Sequence, residues 1–368
     1  MGYVRNANLG TGRAAFLSAA DAVFPRAACD AAAAAISSWT GYRATPLLHL
    51  DGLARQLGLD AIAVKDESER FGLKSFKALG GAYAVEWLAS RHGLPLTVVT
   101  ATDGNHGRSV AWGAARVGAA AKILVHPGVS RPRRDAIAAY GAEIIEVPGT
   151  YDDSVAAART LAETRGWHLV ADIAMDETDP VPALVMQGYT VLAREVLAQW
   201  AGPAPTHLFL QVGVGGLAAA VAAELGRAWG SACRCVAVEP GRADCLYQSL
   251  CAGALRPASG NLDTVMAGLS CGEVSLPAWR VLEAAVADAV TIADGRAIEA
   301  MRQLAFPQPG DPVVEAGESG CAGLAGLLHC CADHRLRAAL ELGSSSRILL
   351  VNSEGATDPA LFQALLND

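Results

Sequence analysis

The chain carries little charge and few aromatic rings. Charged residues make up 18% and aromatic residues 6% of its 368 positions. No run rich in lysine and arginine stands out, and the formal net charge is −8. Nucleic acid and anionic membrane surfaces are therefore not expected as partners. Met1–Ala20 lacks a basic segment followed by a continuous apolar one, so it does not read as a signal peptide. The most apolar stretches, such as Val212–Ala223, are too short to cross a bilayer. A soluble cytoplasmic protein is the expectation. The nine cysteines form no C-x-x-C pattern, and no paired histidines follow Cys233/Cys235 or Cys330/Cys331. That argues against a zinc site and for small buried thiols in a reducing compartment. Fixed-period repeats and low-complexity linkers are absent as well.

What the chain does have is apolar content, at 52%, enough for a large core. Its length suggests two or three domains. From Gly80 onward helical and strand patterns alternate. Strands are predicted at Leu96–Ala101, Ala121–Val125, Glu143–Val147 and His168–Ala171. Helices are predicted between them at Asn105–Val117, Arg131–Tyr140 and Tyr151–Arg165. This order argues for a parallel sheet of βαβ units. The second half repeats the logic, with strands at His207–Gln211, Arg234–Val238 and Arg347–Val351. Its helices fall at Val181–Trp200, Gly216–Trp229, Ala278–Ala287, Gly295–Leu304 and Gly320–Cys331. The expectation is an α/β protein of two open parallel-sheet αβα domains. Residues 1–84 with 196–368 would form the larger, 85–195 a smaller inserted one, and the site would lie in the cleft between them.

One lysine organises the motifs. A predicted strand, Ala61–Lys65, leads through a polar loop to Gly72-Leu73-Lys74-Ser75-Phe76-Lys77, where an Ala/Gly-rich helix opens. A helix N-terminus and apolar neighbours both disfavour an ammonium, so the Lys77 pKa is expected to fall, as a Schiff-base nucleophile requires. A solvated lysine on a first helical turn is the alternative.

Three further loops follow strands. Gln211-Val212-Gly213-Val214-Gly215-Gly216-Leu217 opens a helix, and free amides at such a turn bind phosphate. It could equally be a ligand-free turn, or a dinucleotide loop with Glu239 on the ribose. Thr102-Asp103-Gly104-Asn105-His106 also precedes a helix, which Asp103 could simply cap. Asp172 begins an acidic loop that runs to Asp179.

Taken together, these segments resemble the fold-type II pyridoxal phosphate (PLP) enzymes, a family that includes tryptophan synthase β-subunits. The Lys65–Tyr83 run is similar to the diaminopropionate ammonia-lyase branch. Met186-Gln187-Gly188-Tyr189, Ala243-Asp244-Cys245 and Met266–Glu273 resemble the same branch. The likeness extends from about Thr45 to Asp358.

The resemblance implies a PLP cofactor. Lys77 would hold it, Gly213, Val214, Gly215, Gly216 and Leu217 would bind its phosphate, Asn105 its phenolic oxygen, and Ser353 its pyridine nitrogen. Thr102, Asp103, Gly104 and His106 would face the amino-acid substrate, His106 acting more as a structural hydrogen-bonder than as a catalyst. Asp103 and Asp172 would be acid–base groups, since amine leaves poorly unless protonated. The implied reaction is α,β-elimination, turning 2,3-diaminopropionate into pyruvate and ammonia. Elimination or replacement on another substrate, such as a 3-hydroxy amino acid, is the alternative. The branch commonly has Thr-Ala-Trp and a Gly-Tyr pair after the second Asp, whereas this chain reads Ile173-Ala174-Met175 and Glu177-Thr178. That departure bears on the substrate more than on the reaction. The family also implies a homodimer. Cys245 and Cys271, in two segments that match the branch, could lie close enough to form a redox-sensitive pair, although a cytoplasmic setting argues for thiols. The competing classes are a nicotinamide dehydrogenase, which gives Lys77 no role, and a PLP-binding protein without catalysis.

Overall fold

The computed structural model describes residues 2–102, 104–174 and 178–367. Its strands are β1 (Tyr3–Arg5), β2 (Leu47–His49), β3 (Ala61–Asp66), β4 (Thr97–Ala101), β5 (Ala120–Val125) and β6 (Glu143–Glu146). There follow β7 (His168–Leu169), β8 (His207–Gln211), β9 (Arg234–Pro240), β10 (Val286–Ile292) and β11 (Arg347–Asn352). The helices of the first half are α1 (Gly12–Val23), α2 (Arg26–Ser37), α3 (Asp51–Leu57), α4 (Lys77–His92), α5 (Asn105–Val117), α6 (Arg131–Ala138) and α7 (Tyr151–Arg165). Those of the second are α8 (Val181–Gln199), α9 (Gly216–Trp229), α10 (Cys245–Ala252), α11 (Leu276–Ala285), α12 (Asp294–Ala305), α13 (Ala322–Ala332), α14 (His334–Ala339) and α15 (Pro359–Asn367).

The strands form two sheets. One has the order β1-β10-β9-β8-β11-β3-β2 and the other β6-β5-β4-β7. The smaller sheet is parallel throughout. The larger is parallel except at its edges, where β1 and β2 run antiparallel to their neighbours. The two edge strands qualify the expectation of purely parallel sheets. Each is three residues long and carries too little pattern to be read alone.

The central strands are apolar because both their faces are covered. Along β8, Leu208 and Leu210 enter one core and Phe209 the other; along β11, Leu349 and Val351 oppose Ile348 and Leu350. This two-residue alternation places helices on both sides. One core is continuous from the large sheet through α8 and α9 to α4, α5 and Val98 and Ile123 of the small sheet. Two glycines let α4 and α8 meet closely. A Cβ on Gly80 would stand 2.4 Å from Tyr189 Cε1, and one on Gly188 2.4 Å from the Leu79 carbonyl oxygen.

β10 departs from the predicted helix Ala278–Ala287. The helix stops at Ala285 and the strand begins at the next residue. No glycine or proline separates them, so a run of alanine and valine hides the change of conformation.

Candidate active site

Five strand ends of the two sheets, those of β3, β4, β7, β8 and β11, open on one cleft of about 540 Å³, whose lining is completed by residues of α6, α7 and α8 and of the segment 257–273. Carboxyl ends of parallel strands are where open α/β sheets bind ligands, and the volume suits a cofactor with a small substrate.

Lys77 is placed by a stitch between two loops. Phe76 donates its amide to the Ser353 carbonyl at 3.0 Å, and Gly355 donates to the Lys74 carbonyl at 3.0 Å. Ser75 and Glu354 form an isolated antiparallel bridge. Lys74 adopts a φ of 56° and pairs with Glu315 at 2.7 Å. Together these contacts fix the turn from which α4 starts, and Lys77 emerges beside Ser353.

Behind this loop lies a buried cluster of Lys65, Glu67, Arg70 and Glu195, joined by Thr45. Thr45-Pro46-Leu47 leads into β2, and the Thr45 hydroxyl donates to Glu67 at 2.6 Å.

The Lys77 ammonium is paired with the Asp172 carboxylate. Burial alone would lower the Lys77 pKa, but Asp172 outweighs it and holds the amine above its ordinary value. The expected fall is thus reversed, because a counter-ion 95 residues away in the chain is stronger than the helix terminus. Burial alone would raise Asp172, and the ammonium instead pulls it below the usual carboxylate range. His106 Nδ1 stands 3.9 Å from the same carboxylate, and its Nε2 meets the Val170 carbonyl at 2.8 Å. Burial lowers the His106 pKa, favouring a neutral ring.

The glycine loop follows β8. Gln211 Nε2 donates to Ser353 Oγ at 2.9 Å and to the Val351 carbonyl at 2.9 Å, tying this loop to the one after β11. Gly215 has a φ of 92°, a conformation that suits glycine, and precedes α9 without a side-chain cap. Among the described residues, no protein acceptor takes the backbone amides of residues 213–218. An uncapped buried helix start with free amides is an anion cradle. Tyr189 also lines the cleft, its hydroxyl buried and without a partner, its ring 4.7 Å from Phe76. These unsatisfied donors fit a phosphorylated cofactor with a carbonyl group for Lys77.

The remaining expected residues are placed as follows. Asn105 starts α5, and its Nδ2 donates to the Glu354 carboxylate. The Thr102 hydroxyl accepts from the amides of Gly104 at 2.9 Å and Gly107 at 3.0 Å, so it seals the first turn of α5. Gly104 lines the cleft beside it. Asp103 lies outside the described residues, as do Met175, Asp176 and Glu177 of the altered segment. Glu239 does not line the cleft. It accepts from the amides of Leu246 at 2.8 Å and Tyr247 at 2.6 Å and so holds the start of α10, which removes it as a ribose partner. Burial pushes this carboxyl up to about 8. Cys245 and Cys271 stand as thiols, and burial pushes the Cys245 thiol up.

Sequence reasoning passed over Tyr189, Glu354, Glu318 and Arg133. Only the fold shows that Tyr189, Glu354 and Arg133 line the cleft and that Glu318 pairs with Arg133 there.

Residues 39–354 match the model of the pyridoxal-phosphate dependent enzyme family, and the chain belongs to it. Within that family it is similar to the diaminopropionate ammonia-lyase of Escherichia coli K12, with 39% identity over 342 residues, 86% of each chain. The corresponding enzyme of Salmonella typhimurium is 37% identical over 357 residues, 88% of each. The crystal structure of the Escherichia coli enzyme in complex with an aminoacrylate–PLP azomethine reaction intermediate superposes with a TM-score of 0.91 at 35% identity. It covers 99% of this chain and 96% of that one.

Proposed function

We propose that this chain is a PLP-dependent carbon–nitrogen lyase that eliminates the β-amino group of 2,3-diaminopropionate. The convergence of Lys77, Asp172 and the uncapped start of α9 on one cleft carries the reading. Similarity to diaminopropionate ammonia-lyases along most of the chain supports the substrate.

Bound in the cleft, PLP supplies an electron sink that acidifies the substrate Cα. Lys77 holds its carbonyl carbon, the amides of Gly213, Val214, Gly215, Gly216 and Leu217 hold its phosphate, Asn105 its phenolic oxygen, and Ser353 its ring nitrogen. A neutral Ser353 hydroxyl cannot keep that nitrogen protonated, so the sink is a moderate one, suited to elimination. Tyr189 donates its unpartnered hydroxyl into the same cleft. Asp172 holds a proton on Lys77 Nζ while both are charged. Once the lysine charge is removed, the largest influence holding the Asp172 pKa down is gone, burial weighs more, and Asp172 becomes a stronger base. It can then take the Cα proton or deliver one to the departing nitrogen. Asp103 is the second acid–base group, and Thr102, Gly104 and His106 position the substrate. With water, 2,3-diaminopropionate gives pyruvate and two ammonia.

The strand groupings support a division into residues 1–84 with 196–368 and an inserted 85–195. We place the protein in the cytoplasm as a homodimer. Its cysteines stand as thiols, and Phe306 and Val313 expose 68% and 69% of their surface. Among the described residues, no helix is long and apolar enough to cross a membrane.

The test is spectroscopic and kinetic. The purified protein should show a visible cofactor band, bleached by borohydride and absent in Lys77→Ala. It should release two ammonia per pyruvate from 2,3-diaminopropionate, faster than it turns over serine or threonine. A colourless protein, or faster turnover of a 3-hydroxy amino acid, refutes the assignment.

A further inference from the structure

Glu354 is a cleft-lining carboxylate that the reaction scheme leaves without a task. It is 5% exposed, and the surrounding backbone is shaped around it. A Cβ on Gly317 would stand 3.2 Å from its Cγ, and one on Gly320 2.4 Å from its carbonyl oxygen. The carboxylate accepts from Asn105 Nδ2 and from the Ser319 amide at 3.3 Å.

We propose that Glu354 is a positioning residue that selects which end of the Asn105 amide is turned toward the cleft. The proposal rests on the reading of Asn105 as the partner of the cofactor's phenolic oxygen. An ionised carboxylate only accepts, so it must receive Nδ2, whose second hydrogen stays available to the cleft. A protonated carboxyl has a hydroxyl to donate and can also take the Oδ1 end. The charge on Glu354 therefore sets how strictly Asn105 is oriented.

Several charged groups face this carboxyl from neighbouring elements. Glu318 precedes α13 and pairs with Arg133 of α6 at 2.9 Å. Lys74 and Glu315 pair on the flanking loops, and Asp358 lies near Arg133. The buried Cys321 thiol senses both glutamates. Burial and then Glu318 push Glu354 up to about 7, against the pull of Arg133, Ser319 and Asn105. Selection is then complete above neutral pH and relaxes below it.

The test titrates the visible band of the PLP-loaded enzyme across neutral pH in wild type, Glu354→Gln and Asn105→Ala, and measures PLP dissociation by equilibrium dialysis. Glutamine is nearly isosteric and keeps a hydrogen bond but has no charge to titrate, and circular dichroism checks its fold. Wild type should show a band shift with a midpoint near 7, and Glu354→Gln should not. The variant should also release PLP about fivefold more readily, the loss expected for one weakened hydrogen bond. A wild-type band that does not move, or a Glu354→Gln titration that superposes on wild type, overturns the inference while Asn105→Ala still shifts the spectrum. An Asn105→Ala spectrum identical to wild type instead removes the reading of Asn105, and the inference with it.

Discussion

Replacing Glu195 by glutamine changes one atom in the buried cluster behind the Lys77 loop, and the cost can be worked out. Glu195 accepts from Lys65 Nζ at 2.6 Å and from the two terminal nitrogens of Arg70 at 2.8 and 2.7 Å. The Tyr42 hydroxyl donates to it at 2.9 Å and the Thr45 amide at 3.1 Å. Side-chain exposure is 0% for Lys65 and Glu67, 1% for Arg70 and 6% for Glu195. The cluster balances two cations with two carboxylates. Glu195→Gln leaves both cations to Glu67 and puts an amide where only an acceptor fits. Removing one partner of a buried pair costs about 3–5 kcal/mol. Unfolding entropy near 2.1 cal/mol/K per residue, over 368 residues, gives about 0.8 kcal/mol/K. The melting temperature should therefore fall by about 4–6 °C. Calorimetry on the PLP-loaded proteins, with urea unfolding alongside, measures this. The sign with pH follows from the same contacts. Burial pushes Glu195 up, yet Arg70 and Lys65 hold it below its ordinary value in the folded state. Its contribution is present above the unfolded pKa and is lost as pH falls through the folded one. The gap between wild type and variant should thus close in acid. A variant within about 1 kcal/mol of wild type at neutral pH would refute the view that this cluster holds the lysine loop.

Three further substitutions probe the cleft. In Asp172→Asn burial acts on Lys77 without its counter-ion, so the amine should titrate below wild type; kcat should drop by about 10²–10⁴-fold with a changed pH profile. An unchanged profile would remove Asp172 from the proton chemistry. Gly188→Ala would place a Cβ 2.4 Å from the Leu79 carbonyl oxygen and force α4 from α8, costing about 1–3 kcal/mol in urea unfolding. Full stability in that variant would show that the helices can slide apart freely. Tyr189→Phe removes a buried hydroxyl that has no protein partner. It should stabilise PLP-stripped protein by about 1 kcal/mol yet weaken PLP binding, and a loss of stability in the stripped form would contradict that.

Much of the architecture was legible because strands such as His207–Gln211 and helices such as Asn105–Val117 are bounded by glycine or polar turns. β10 was not, since it shares an unbroken alanine–valine run with α11. The site divides in the same way. Lys77, Asn105, Asp172, the glycine loop and Ser353 sit in recognisable motifs, and all line one cleft. The protonation of Lys77 could not be read, because it depends on a pairing across 95 residues. Glu354 and Tyr189 gave no signal for a related reason. A buried carboxyl or phenol acquires a task only from what packs around it, and spacing along the chain says nothing of that.

The smallest strand carries a consequence for how such an enzyme diversifies. β7 is two residues long, lies at the edge of its sheet, and pairs only with β4, through Val98–His168 and Val99–Leu169. Asp172 follows three residues later. Beyond it, Ala174 is tethered to Ser275 Oγ at 3.0 Å and to the Leu276 amide at 2.8 Å. Among the described residues, no strand lies on the outer side of β7 to keep register with whatever comes next. Because Ala174 makes both contacts through its backbone, side chains at 173–178 can be exchanged while β7 and this tether stay put, so new substrates can be sampled by directed evolution without rebuilding the machinery around Lys77.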